Sequence, residues 1–224
     1  EERASVMAFG EDFKTFIGQA RSDMWFVREA VTQAQAEGFR VWSSEVTRDE
    51  LTPGSLWYAV NRDRTIALFV IGTEPLENGL RIVNTHIDSP WLEFKTRPFR
   101  ERNGVVAIDA QVHGGIKNYQ WVNVPLAIIG RVDKTDGTTI WVEIGTAPDD
   151  PILLITDLAP HVDSDYRDRT QRNVVRTEEM EPIIAFLPPE TAEDEDGPVD
   201  RLLALLQETY GIEPRDFLTA NIQI

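Results

Sequence analysis

Thr65-Ile66-Ala67-Leu68-Phe69-Val70-Ile71 is apolar from its second residue onward, with neither the alternation of a half-solvated strand nor the length of a helix. Such a run predicts a strand covered on both faces. Working backward, Asn61-Arg62-Asp63-Arg64 reads as a tight turn. Leu56 to Val60 before it completes a hairpin. Further back, Ser22 is placed to cap a helix whose apolar positions Val27, Ala30, Val31 and Ala34 follow the i, i+3, i+4, i+7 rule. Gly38 stops that helix, because glycine accepts a left-handed conformation without a Cβ penalty. Working forward, Leu80 to Thr85 reads as another strand, ending at His86. Helices followed by buried strands predict an α/β sandwich.

From about Pro98 the pattern changes. Val105 to Val112, Leu126 to Val132 and Thr139 to Ile144 all read as strands, and Asp133-Lys134-Thr135-Asp136-Gly137 supplies a hairpin loop between the last two. The next helix begins at Val199, with Val199, Leu202, Leu203 and Leu206 on one face and Gly211 as its stop. The acidic stretch Glu193-Asp194-Glu195-Asp196 before it reads as a solvated loop that favours the helix N-terminus. Thr219 to Ile224 reads as a final strand, and its position predicts that the natural protein continues.

Composition narrows the function. Acidic residues outnumber basic ones 38 to 22, a formal charge of −16, so a phosphate backbone is repelled and nucleic acid is an unexpected partner. There is no cysteine, which excludes disulfides and thiolate metal sites. A metal would have to use His, Asp or Glu. No apolar run is long enough to span a bilayer, and Glu1-Glu2-Arg3 does not read as a signal peptide. A reducing, cytoplasmic setting is expected.

Three segments hold the histidines. In Thr85-His86-Ile87-Asp88-Ser89-Pro90 the residues two apart share a side of extended chain, so His86 and Asp88 can meet. A metal-bound imidazole usually donates its other ring N–H to a carboxylate, and His-x-Asp supplies both partners. On spacing alone His86 reads rather as a hydrogen-bonded structural histidine, and one imidazole does not make a zinc site, which needs about four ligands. His113-Gly114-Gly115-Ile116-Lys117-Asn118-Tyr119-Gln120-Trp121 reads either as a turn with packed aromatics or as a loop aimed at substrate, with Lys117, Tyr119 and Trp121 alternating along it. His161, in Asp157-Leu158-Ala159-Pro160-His161, lies among apolar residues and reads as structural.

The ordered set of these segments resembles the tetrahedral zinc aminopeptidases that include aspartyl aminopeptidase and vacuolar aminopeptidase I, and is most similar to their bacterial aminopeptidase I branch. The resemblance rests on Thr85 to Pro90, on Gly114-Gly115-Ile116-Lys117 with Tyr119-Gln120-Trp121, and on Pro125-Leu126. It rests also on Thr156-Asp157-Leu158 with Pro160-His161, and on Tyr210-Gly211-Ile212 with Asp216-Phe217-Leu218. It implies a catalytic α/β domain beginning at residues 1–97, a β-rich dimerisation domain inserted over 98–216, and a return strand into the catalytic sheet at 217–224. It implies two-metal aminopeptidase chemistry in which His86 is a ligand of one of two zinc ions, cobalt or manganese being alternatives, and Asp88 is the catalytic-site carboxylate that orients it. The loop carrying His113, Lys117 and Tyr119 would contact peptide substrate in a neighbouring subunit of a homo-oligomer, dimers assembling to a dodecamer.

The same resemblance puts the bridging aspartate, the paired glutamates and the remaining ligands outside this chain, so that 224 residues alone are expected to be inactive. They would come from the rest of a longer protein or from a separate C-terminal half. The alternative is a non-catalytic assembly subunit that keeps only the oligomerisation module. Three residues depart from the family pattern: Trp91 where a basic residue is usual, His113 where an aromatic hydroxyl is usual, and Tyr119 where the aspartyl branch has histidine.

Overall fold

The computed structural model describes residues 2–186 and 197–224, which form two compact units divided between Ser89 and Pro90. The acidic stretch 193–196 lies outside the described residues.

The first unit opens with helix α1 (Glu2–Gln19), none of whose residues is buried. Helix α2 (Asp23–Ala36) starts where Ser22 leaves extended backbone and its hydroxyl accepts from the Trp25 N–H at 3.4 Å. Gly38 takes a φ of +84° just beyond the helix end, as expected for a glycine stop. A small sheet follows, in the order β1 (Arg40–Val41), β2 (Leu56–Asn61), β3 (Thr65–Val70). The hairpin pairs Asn61 with Thr65, and Arg62 and Asp63 between them both have positive φ, at 52° and 56°. Two positive φ values give the turn that matches the right-handed twist of the strands. Met24, Val27 and Ala34 of α2 are buried, as are Trp57 and Tyr58 of β2. Asp23 at the helix start pairs with Arg64 at the turn, Nη1 to Oδ2 at 2.8 Å. Gln35 near the helix end donates to the Tyr58 hydroxyl at 2.8 Å.

Two expectations for this unit are corrected. β3 is not covered on both faces: Leu68 and Val70 are exposed, and among the described residues β3 is the sheet's edge, bonded only to β2. Leu80 to Thr85 forms no strand. A strand's N–H and C=O groups need a second strand to bond, and among the described residues none pairs with this segment. Its apolar side chains stand in solvent, Val83 being 99% exposed.

The second unit is built on a six-stranded sheet. Its strands are β4 (Trp91–Arg102), β5 (Val105–His113), β6 (Ile128–Asp133), β7 (Thr139–Ile144), β8 (Ile183–Phe186) and β9 (Asn221–Gln223), in the spatial order β7-β6-β9-β4-β5-β8. Helix α3 (Pro198–Tyr210) begins with proline, whose missing N–H costs nothing there, and ends at Gly211 with φ +67°. The first of two apolar clusters gathers Ile108, Ile128, Val132, Val142, Leu153, Ile212, Phe217 and Ile222, with Leu203 and Leu206 of α3 packed on it. The second gathers Leu92, Ile155, Val175 and Met180.

Two expected boundaries are also corrected. The break at 97/98 falls inside β4, which runs through Pro98 to Arg102. Pro98 is tolerated there because pairing with β5 is irregular between Phe94 and Phe99, so its missing N–H breaks no ladder bond. The expected return strand at 217–224 does not join the first sheet. β9 lies between β6 and β4, with Gln223 opposite both Ile129 and Glu93.

Candidate functional site

His86 and Asp88 stand in the first unit on the segment that follows the small sheet. The structure brings them together. His86 Nδ1 lies 3.2 Å from Asp88 Oδ1 and 3.1 Å from the Asp88 carbonyl oxygen. Both partners are acceptors, so Nδ1 carries the proton and donates, leaving the lone pair on Nε2. The His86 side chain is 84% exposed and nothing among the described residues bonds Nε2.

This donor set fits zinc as one ligand with its orienting carboxylate and no further. Among the described residues no three His, Asp or Glu side chains come together closely enough to hold an ion. With no cysteine in the chain, the other ligands of a four-coordinate site would have to be His, Asp or Glu side chains from elsewhere.

The second constellation is built within the β-rich unit. Trp91 begins β4 and is the register partner of His113, which ends β5. Their rings stack at 4.9 Å and 10°. His113 Nε2 rests against the Glu93 carboxylate, close as an ion pair but without hydrogen-bond alignment. Glu93 also accepts from Asn221 Nδ2 of β9 at 2.9 Å. His113 thus packs against two side chains of the neighbouring strand β4. Gly114 follows with φ +74°, and a Cβ there would meet Pro90 at 3.2 Å, so the loop departs where only glycine is unstrained.

Beyond Gly115 the chain makes a short turn at Asn118–Gln120. Ile116, Tyr119 and Trp121 pack against the cluster of Leu92, Ile155, Val175 and Met180. Asn118 Nδ2 donates to the Val175 carbonyl at 3.0 Å. Tyr119 is therefore half-buried as a packed aromatic, while Lys117 is exposed on the rim of a groove of about 650 Å³. The groove's other wall is the segment from Gln171 to Glu178, which carries Arg172 and Arg176.

That wall is pinned from behind. Arg169 bonds Asp165 and Glu179, both at 3.0 Å, and the Val174 carbonyl at 2.9 Å. Arg176 bonds Asp165 at 2.7 Å. The hydrogen bond from Arg169 holds the Asp165 carboxyl below its usual range, whereas burial pushes its neighbour Asp163 above it. His161 is exposed, as are Leu158 and Val162 beside it, so the expected apolar packing around it does not occur. Glu93, Arg172 and Arg176 were not singled out by the sequence. Only the folded register puts Glu93 beside His113, and only the turn of chain through Arg169 puts the two arginines opposite Lys117.

Residues 16–224 match the model of the aminopeptidase I zinc metalloprotease family, M18. The chain belongs to that family. A probable M18 family aminopeptidase 1 of Clostridium acetobutylicum is 33% identical over 220 residues, covering 98% of this chain and 47% of the relative. The crystal structure of an M18 aminopeptidase from Thermotoga maritima superposes with a TM-score of 0.88 at 33% identity, covering 98% of this chain and 47% of that one. The mApe1 dodecamer of S. cerevisiae shares the fold, with a TM-score of 0.66 at 18% identity, over 96% of this chain and 47% of its own. The chain thus spans about half the length of the M18 relatives it matches. The mixed α/β architecture expected from the strand and helix pattern is that of these M18 structures.

Proposed function

We propose that this chain supplies one imidazole ligand and its orienting carboxylate to a metallo-aminopeptidase that releases N-terminal residues from peptides. The observation that carries the proposal is the exposed His86–Asp88 pair, with Nδ1 committed to the carboxylate and Nε2 outward, in a chain of the M18 family. When bound, zinc in such a site polarises a scissile carbonyl and lowers the pKa of a water toward neutrality. His86 would hold the ion through Nε2, and Asp88 would fix the tautomer and raise the ligand's basicity. A second ion, the other ligands and the general base belong to the remaining half of the relatives' length. The loop with His113, Lys117 and Tyr119 would serve substrate in an adjoining subunit of a homo-oligomer, and a dodecamer is the assembly we expect.

The deciding experiment is a peptidase assay across aminoacyl substrates on the full-length natural product, with zinc or cobalt added after chelation. Metal-restored activity that His86→Ala abolishes supports the proposal; activity indifferent to chelator and to His86→Ala overturns it. A second reading has an observation of its own in its favour. The β-rich unit has its own sheet and two apolar clusters, as an assembly module needs. A full-length product that assembles but releases no amino acid with any metal would favour that reading.

A further inference from the structure

The segment from Asp163 to Glu179 is tied down largely by charge. Arg169 spends Nη1 on the Val174 carbonyl and the Glu179 carboxylate, and Nη2 on Asp165 Oδ1 at 3.0 Å. Arg176 reaches the other oxygen of Asp165 at 2.7 Å, and its backbone N–H donates to Glu179 at 2.8 Å. Asp165 is thus bonded to a guanidinium through each of its oxygens.

Asp163 is treated differently. Its side chain is as covered as that of Arg169, both being 11% exposed. Yet the guanidinium nitrogen beside it, Arg169 Nη2, lies 3.6 Å away, beyond hydrogen-bond range. Among the described residues the one side chain that hydrogen-bonds its carboxyl is Asp165, and Asp157 adds a further negative charge. Two carboxylates are both acceptors and cannot bond each other. A carboxyl and a carboxylate can, with one proton between them.

We propose that Asp163 and Asp165 share one proton and act as a latch on this segment, tight while the proton is held and looser once it is lost. Asp163 takes the proton from solvent and donates it to Asp165, which keeps its charge for Arg169 and Arg176. The environment sorts the two groups in that order: burial and the Asp165 neighbour push the Asp163 carboxyl above its usual range, while the Arg169 hydrogen bond holds Asp165 below it. A raised folded-state value contributes stability that is fully present below the unfolded value, about 3.9, and is lost as pH rises through the folded one. Mild acid therefore tightens the segment, the reverse of an ordinary carboxylate–arginine pair. Residues 171–178 of the segment form one wall of the groove, so the latch sets how firmly that wall is held. It lies wholly within the β-rich unit and needs no metal.

The test uses this chain as it stands. Amide hydrogen exchange is followed by mass spectrometry, corrected for the intrinsic pH dependence and referred to the β6–β7 hairpin. Residues 166–178 should exchange about threefold more slowly in mild acid than at pH 7, the scale of one partly exposed charge interaction. Asp163→Asn, a neutral side chain that can still donate to Asp165, should show the slow exchange already at pH 7 and lose the pH response. Asp165→Asn, which removes the charge that both arginines hold, should speed exchange at either pH. Carbon-13 NMR of the aspartate carboxyls in the parent should show Asp163 taking up its proton at higher pH than Asp165, a readout that does not depend on any variant folding. Three results overturn the proposal: exchange that is unchanged or faster in mild acid, a pH response that survives Asp163→Asn, or Asp165 protonating before Asp163.

Discussion

A Cβ added to Gly130 would stand 2.6 Å from Ile222 Cα and 2.5 Å from the Asn221 carbonyl oxygen, inside the contact distance of real atoms. Gly130 and Ile222 are register partners in the β6–β9 ladder. Gly130→Ala must therefore push the central strands apart. We expect a loss of about 1–3 kcal/mol, as for overpacked cores, measured as a lowered midpoint in urea. An unchanged midpoint would show that β9 does not approach so closely.

Ile155 is fully buried against Leu92, Val175 and Met180, the cluster beneath the His113–Trp121 loop. Ile155→Ala should cost about 2–5 kcal/mol, the usual range for emptying such a site. Tryptophan fluorescence should report the change, since Trp121 packs on the same cluster.

Asp133 ends β6 opposite Thr139 of β7, where Arg131 bonds it through both Nε and Nη2 at 2.9 Å and Thr139 donates at 2.8 Å. The Arg131 hydrogen bonds hold its carboxyl below the usual range. A depressed folded-state value contributes stability that is fully present above the unfolded value, about 3.9, and is lost as pH falls through the folded one. Asp133→Asn should thus lower stability at pH 7 slightly, by no more than about 1 kcal/mol for a pair so open to water, read as a small drop in the thermal midpoint. The gap to the parent should close in strong acid. A gap that persists below that range would assign the effect to packing.

Asp88→Ala removes the acceptor that fixes the His86 tautomer. Loss of such a partner typically costs 10- to 100-fold in metal affinity, so we expect about that weakening of zinc binding in the full-length product. The melting curve of the 224-residue chain itself should barely move, because both side chains are exposed in it. Equal zinc affinity in variant and parent would show that Asp88 does not act through His86.

Much of the fold can be read from local chemistry. The Ser22 cap, the Gly38 and Gly211 stops and the two hairpins follow from residue types whose preferences act within a few positions. Leu80 to Thr85 shows the limit of that reading. Its composition is that of a strand, yet strand formation depends on a partner, which composition does not reveal. Pro98 misled in the opposite sense: a proline usually ends a strand, but here an irregularity in the β4–β5 pairing absorbs it. At the site, His86 with Asp88 was legible because both lie on one short segment. Glu93 against His113, and Arg172 opposite Lys117, depend on register and on a long loop, and neither leaves a mark in the sequence nearby.

The placement of β9 has a consequence for how the molecule is made. Two hairpins, β4–β5 and β6–β7, can each close soon after synthesis, but among the described residues no ladder joins them directly. They are bridged only when a three-residue strand slots between them, and its Asn221 reaches back 128 positions to Glu93. Two finished ribbons would thus emerge with bare inner edges before the strand that joins them is made. Closing over so long a span is slow, and unfilled edges invite pairing with other chains in the interval. Misassembly of this protein should be sought during translation rather than after it.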